Sequence, residues 1–246
     1  MLYFDPLYFL IVGPTFALAL WASWRVKSTF ARYASVGVRS GMTGAQAAEA
    51  VARAGGAMVT IERQQGFLSD HYDPRTKTLR LSPDVHDGRS ISAIAVGAHE
   101  AGHAIQHAKN YAWLGFRTMM VPVCAFGSRV WIWVFMAGMI LQGSNARRAG
   151  QIARDAGSSF SFGEMLTSLG ILMFAAVVLF QIVTLPVEID ASNRAKAVLG
   201  RTGIVTNEAE AKGVASVLGA AAWTYVAAAL TSIATLVYLL MRQRRN

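Results

Sequence analysis

Long apolar runs dominate the pattern of this chain. A helix needs about 20 mostly apolar residues to cross the hydrocarbon core of a bilayer. Four segments are close to or above that length: 7–24, 118–141, 165–185 and 214–241. The first lacks the features of a cleaved signal peptide, because the acidic Asp5 precedes it and basic residues follow it. The pattern therefore predicts a multi-pass helical protein of the cell membrane, with its spans in contact with the lipid bilayer.

Two segments outside these runs, 25–117 and 186–213, are more polar. Within the first, 58–63 and 76–82 alternate apolar and polar residues, which is typical of short strands. An alanine-rich stretch over about 90–109 predicts a long helix, and the longer segment as a whole predicts a small α+β fold outside the membrane. The shorter segment is expected to be a loop or helix between the third and fourth spans.

Composition supports this division. The 246 residues are 54% hydrophobic and 15% charged, whereas soluble domains have about 25% charged residues. The net charge of +9 does not indicate nucleic-acid binding, because the basic residues mostly flank apolar runs. With four spans, 25–117 and 186–213 share one side with 16 Lys and Arg residues, and the termini and 143–163 share the other with six. The positive-inside rule then predicts that 25–117 is cytoplasmic.

The long polar helix contains the pattern H-E-x-x-H, formed by His99, Glu100 and His103. Residues four apart lie on one face of a helix, so both imidazoles can reach a single zinc ion while the glutamate projects beside them. A glutamate in that place can act as the general base of a hydrolytic reaction. The motif therefore predicts one zinc ion per chain, bound by His99 and His103, with Glu100 as the catalytic residue.

The third protein ligand must come from elsewhere in the chain. His107 lies eight residues after His99, about 12 Å along a helix, so we expect it beside the metal site and not on the metal. Glu188 and Asp190 directly follow the third apolar run, where a carboxylate can reach a site at the membrane surface. Glu188 is the favoured ligand, because two histidines and a glutamate form a hydrolytic zinc site. Asp190 remains the alternative, although it also suits an orienting partner or an ion pair with Arg194.

Another polar stretch contains His71 and Tyr72, between two aspartates. Either side chain can donate a hydrogen bond to a developing oxyanion or contact the substrate. The alternative is a turn in which the aspartates accept hydrogen bonds from backbone amides.

Four stretches of the chain together resemble one protein family. They are LSDHYDP at 68–74, LRLSP at 79–83, AHEAGHAIQH at 98–107 and TLPVEIDAS at 184–192. They closely resemble the YugP-type neutral zinc metallopeptidases of bacterial membranes, and the likeness covers essentially the whole chain in the same order. The resemblance implies a zinc-dependent membrane peptidase, and the glutamate of its L-P-V-E segment corresponds to Glu188. The chain departs from the family pattern at His86 and Gly97, where an aromatic residue and alanine are expected.

Two other functions use similar residues. A site-2-type intramembrane protease carries H-E-x-x-H within a spanning helix, but the helix expected here is too polar at its centre, and no L-D-G motif follows. A non-catalytic zinc-binding membrane scaffold would keep the histidines without needing Glu100 as a base. The favoured expectation is an α-helical integral membrane protein of about four spans with a small zincin-like α+β segment. It would act as a zinc metalloendopeptidase on peptide or protein substrates associated with the membrane.

Overall fold

The computed structural model describes residues 5–66, 69–145 and 162–244. Most of the predicted loop 143–163 lies outside these residues. The described part of the chain forms seven helices and three strands, in this order: α1 (Pro6–Ala34), α2 (Gly44–Ala54), β1 (Thr60–Arg63), β2 (His71–Asp73), β3 (Thr78–Leu81), α3 (Pro83–His86), α4 (Ile91–Ala108), α5 (Ala112–Asn145), α6 (Phe162–Arg201) and α7 (Glu208–Gln243).

Four of these helices, α1, α5, α6 and α7, are long and apolar enough to cross a membrane. The mostly helical fold with four candidate spans is confirmed, and each predicted span lies within a longer helix. The largest extension is in α6, which continues through Pro186 to Arg201. Proline removes one backbone hydrogen bond from a helix, yet the helical backbone resumes after it. The start of the predicted segment 186–213 is therefore helix and not loop.

The described residues divide into two compact units. One comprises the described parts of Met1–Ala17, Arg117–Ile182 and Ala228–Asn246. Its buried core contains Phe135, Ile171, Phe174, Val178, Tyr238 and Leu239. The other, here called the site unit, comprises Leu18–Phe116 and Val183–Ala227, and it contains all the predicted site residues.

A small mixed sheet lies in the site unit, with the strand order β1-β3-β2. β1 runs parallel to β3, which pairs on its other side with the antiparallel β2. The predicted strand at 76–82 contains β3, which is the central strand, and its Leu79 and Leu81 are fully buried. The stretch with His71 and Tyr72 is the third strand. Its three residues are too few to show an alternating pattern, and they are identified as a strand by their pairing with β3.

The long predicted helix is α4, which begins after Ser90, whose hydroxyl accepts a hydrogen bond from the Ala93 amide. Small residues allow its neighbours to approach closely. A Cβ atom on Gly97 would lie 2.5 Å from the carbonyl oxygen of Gly44 on α2. On Gly102 it would lie 2.4 Å from the carbonyl oxygen of Ala191 on α6. Helix α4 is therefore packed between α2 and the C-terminal part of α6, which brings the H-E-x-x-H residues against the predicted downstream carboxylates.

Candidate metal centre

Helices α4 and α6 bring two imidazoles and one carboxylate together. His99 and His103 lie one turn apart on α4, and their ring centroids are 4.8 Å apart in an edge-to-face arrangement. From α6, Glu188 places its Oε2 atom 3.2 Å from Nε2 of His99 and 3.4 Å from Nε2 of His103. One potential ligand atom from each of the three residues lies within 4.8 Å of the others. The three side chains are therefore positioned to bind one metal ion.

This ligand set suits zinc. Two imidazole nitrogens and one carboxylate oxygen are the protein ligands of many catalytic zinc sites, where a further position stays open. Glu188 and His103 are 3% and 8% exposed, and a carboxylate is costly to bury without a partner of opposite charge. Burial alone would lower the pKa of the His103 imidazole, but the Glu188 and Glu100 carboxylates raise it above its ordinary value. The site thus has a negative potential that favours a cation.

A fully buried glutamine fixes the orientation of His103. Nε2 of Gln106 donates hydrogen bonds to the carbonyl oxygen of Val187, at 2.7 Å, and to Oδ2 of Asp190, at 2.8 Å. Because both partners accept, the Oε1 atom of Gln106 faces His103 Nδ1, 3.0 Å away. Nδ1 of His103 must then carry a proton, which leaves Nε2 as the nitrogen available to a metal ion.

The other imidazole has a partner from α6. Nδ1 of His99 shares a hydrogen bond with Oγ of Ser192 at 3.1 Å, so its Nε2 atom also points toward Glu188. The sequence reasoning missed Ser192 and Gln106. Their positions carried a signal, since Ser192 lies four residues after Glu188 and Gln106 three residues after His103. Those spacings place each on the same helix face as a predicted ligand.

Asp190 lies behind the site, where it accepts hydrogen bonds from Gln106 and from Nε of Arg194, the latter at 2.5 Å. The guanidinium of Arg194 lies over the ring of Tyr111, 5.4 Å from its centroid. Asp190 is therefore joined to His103 through Gln106, while Glu188 faces both imidazoles directly.

The remaining predicted site residues lie on β2 and at the end of α4. The Tyr72 hydroxyl shares a hydrogen bond with Nδ1 of His107 at 2.8 Å. His71 is exposed, and its Nδ1 donates to the carbonyl oxygen of Ser69 at 2.9 Å. The structure thus pairs His107 with Tyr72, and it does not bring His107 into the group of potential ligands.

Glu100 lines a cavity of about 290 Å³ together with His99 and Asp70. Its side chain is part of the H-E-x-x-H turn, and the residue is only 8% exposed. Burial raises the pKa of the Asp70 carboxyl above its ordinary value, although hydrogen bonds from Ser82 act in the opposite direction. Two residues of the H-E-x-x-H turn, His99 and Glu100, therefore line a cavity next to the potential metal site.

Comparison with known proteins identifies the family of this chain. The family described as "Putative neutral zinc metallopeptidase" matches residues 8–244. The chain is also 43% identical over 225 residues, 91% of each chain, to the "Putative membrane protease YugP" of Bacillus subtilis (strain 168). No solved structure matches the chain. A match over nearly the whole length, together with two histidines and a glutamate at the centre, means that the chain belongs to this family of neutral zinc metallopeptidases.

Proposed function

We propose that this protein is a membrane-bound zinc metalloendopeptidase that hydrolyses peptide bonds of membrane-associated peptides or proteins. His99, His103 and Glu188 hold the zinc ion, and Glu100 is the general base. The observation that carries the proposal is the convergence of a buried carboxylate from α6 on the H-E-x-x-H turn of α4, with potential ligand atoms within 4.8 Å of one another, beside a cavity that Glu100 lines.

The chemistry that zinc supplies when bound is Lewis acidity, which polarises a carbonyl group and lowers the pKa of water toward about 7. The Glu100 carboxylate accepts the proton of the attacking water and delivers it to the nitrogen of the leaving amine. Gln106 and Ser192 hold the two imidazoles through their Nδ1 atoms. This support would keep both Nε2 atoms directed toward Glu188, where the three residues would hold the metal.

The role of Glu100 is tested by replacing it with glutamine, which keeps the shape of the side chain and removes its basicity. The Glu100→Gln protein should retain one zinc ion per chain, while peptide cleavage falls by about 10²–10⁴-fold, the usual contribution of acid–base catalysis. Glu49→Gln, at an exposed glutamate of α2, is the matched control and should leave both unchanged. Undiminished cleavage by the Glu100→Gln protein would show that this residue is not the base. Zinc binding without cleavage by the unaltered protein would instead indicate a scaffold.

The ligand assignment is tested by zinc stoichiometry on purified variants. Glu188→Ala should lose the metal, because two imidazoles alone form an incomplete site. Glu188→Asp should show a zinc occupancy between those of Glu188→Ala and the unaltered protein. Its side chain is one methylene shorter, so the carboxylate is less able to reach the usual zinc–oxygen distance of about 2.0–2.2 Å. Asp190→Ala should keep zinc with about 10- to 100-fold weaker binding, and His107→Ala should keep it fully. Full occupancy in Glu188→Ala together with loss in Asp190→Ala would identify Asp190 as the ligand.

We also propose that the four candidate helices cross the cell membrane and that the site faces the cytoplasm. The uneven distribution of Lys and Arg supports this orientation. Single cysteines in place of Gln64 and Asn207, in a protein whose native Cys124 is replaced by alanine, report the side of each segment. Both should resist a membrane-impermeant maleimide in intact cells and react after permeabilisation. Labelling of one position alone in intact cells would exclude four spans. Labelling of both positions in intact cells would show that the orientation is the opposite of the one proposed.

A further inference from the structure

The cavity beside the metal centre has walls that the proposed chemistry does not use. Its volume of about 290 Å³ is at the lower limit of pockets that bind whole small molecules, about 300–1,000 Å³. Apart from the polar residues Asp70, His99, Glu100 and Thr224, the lining is aliphatic and aromatic. Most of this apolar wall comes from α1 and α7: Val26, Phe30, Val217, Leu218, Ala221 and Tyr225. A space of this size and lining fits one large apolar side chain.

Two acidic residues, Asp70 and Glu100, also line the cavity. Asp70 uses Oδ1 to accept hydrogen bonds from the amide and hydroxyl of Ser82, at 2.7 and 3.0 Å, and Oδ2 is 3.1 Å from the same hydroxyl. Glu100 belongs to the proposed reaction. The negative charges of the two carboxylates disfavour an acidic side chain. Most of the remaining lining is aliphatic or aromatic, so it favours an apolar side chain.

The aromatic residues near this wall are those expected at a membrane surface. Trp21 of α1 and Trp223 of α7 pack edge to face, with ring centroids 5.7 Å apart. The guanidinium of Arg25 lies over the Trp21 ring, 5.0 Å from its centroid. Tryptophan and basic residues concentrate where a spanning helix leaves the hydrocarbon core. The aromatic pair therefore indicates a bilayer surface near Trp21 on α1 and Trp223 on α7, nine residues inside the predicted fourth segment. The wall lies next to that surface.

We propose that this cavity is the subsite for a large apolar side chain, such as that of leucine or phenylalanine, next to the peptide bond that is cut. The inference rests on the proposed peptidase function and specifies its substrate. The side chain would lie against the α1 and α7 residues of the cavity, with the scissile carbonyl at His99 and Glu100. Ala221 is half-buried in the wall, so its side chain limits how large an occupant the cavity can hold.

The test uses the full-length protein in lipid nanodiscs and quenched fluorescent peptides that differ at one position beside the cleaved bond. Glycine, aspartate, lysine, leucine and phenylalanine are compared at that position. The unaltered protein should show kcat/KM values at least about tenfold higher for leucine and phenylalanine than for the others. Ala221→Phe fills the cavity, so it should lower kcat/KM for the phenylalanine peptide about tenfold and for the glycine peptide much less. Ala215→Phe, at an exposed site on α7, is the matched control and should leave the order unchanged.

A binding measurement separates this inference from the proposed function. Fluorescence anisotropy of the same labelled peptides with the Glu100→Gln protein needs no turnover, and the phenylalanine peptide should bind more tightly than the glycine peptide. The zinc content of the Ala221→Phe protein shows whether this variant still folds. If the variant does not fold, the subsite is judged from the cleavage preference of the unaltered protein and from this binding series. A preference for lysine, no preference, or an equal loss for every peptide in a folded Ala221→Phe protein would overturn the subsite. Selective binding without any cleavage would overturn the peptidase function and leave the subsite standing.

Discussion

Replacing Gln106 with leucine tests whether the metal centre depends on the support behind it. Gln106 is fully buried and joins three groups: it accepts from His103 and donates to Val187 and Asp190. Leucine has a similar volume but neither a donor nor an acceptor. The change therefore removes the hydrogen bonds without opening a large cavity.

The expected loss of stability follows from the polar groups that lose a hydrogen-bond partner in the Gln106→Leu protein. The Nδ1–H group of His103 loses its acceptor in a buried position, which costs about 1–3 kcal/mol. Asp190 loses one donor but keeps Arg194, so the total loss of folding stability should be about 2–4 kcal/mol. Without its partner, the imidazole also loses a fixed orientation and tautomer. Zinc affinity should therefore fall by about 10- to 100-fold.

The assay is a competition titration of zinc between the purified protein and a chromophoric chelator, combined with a thermal unfolding measurement on the metal-free protein. Gln142→Leu is the matched control, because Gln142 donates to the Thr167 hydroxyl at 2.7 Å in the other unit. It should lower stability and leave zinc affinity unchanged. Zinc affinity within about twofold of normal in a folded Gln106→Leu protein would refute the reasoning, as would an equal loss in the control.

Two further predictions concern packing and charge. Gly102→Ala would place a Cβ atom 2.4 Å from the Ala191 carbonyl oxygen, so α4 and α6 must separate. The stability of Gly102→Ala should fall by about 1–3 kcal/mol, and its zinc affinity should fall as well. Gly97→Ala, whose new Cβ atom meets α2, should lower stability and leave zinc affinity unchanged. Zinc competition and thermal unfolding, as above, measure the two quantities. The hydrogen bond from Arg80 lowers the pKa of Asp73 to about 2, so the stability that this carboxylate contributes is complete above about pH 4 and is lost as the pH falls toward 2. A carbon NMR titration should find the Asp73 midpoint near 2 and move it upward in Arg80→Gln, and an unchanged midpoint in that variant would contradict the assignment.

The sequence predicted the parts of this protein that depend on local spacing. His99, Glu100 and His103 belong to one helical turn, so their proximity follows from helix geometry alone. The four apolar helices follow from the length of uninterrupted hydrophobic sequence. Both signals are contained in windows of about 20 residues or fewer.

The parts that escaped prediction depend on contacts between distant segments. The role of Gln106 requires α6 to pack beside α4, and only then does its amide meet the Val187 carbonyl. A proline normally marks a helix boundary, so the continuation of α6 through Pro186 was not apparent. Strand β2 depends on the pairing of Tyr72 with Leu79, which a three-residue pattern cannot indicate.

The division of the ligands between α4 and α6 also has a consequence for how the protein is made. Zinc bound by His103 and Glu188 would cross-link positions 85 residues apart. By the loop-entropy estimate used for disulfides, closing such a loop is worth about 4–5 kcal/mol. Synthesis runs from the N-terminus, so a growing chain that has not reached Glu188 contains Glu100 and both histidines but lacks the third proposed ligand. Under the proposed function, peptidase activity would therefore begin only after α5 and most of α6 have been made.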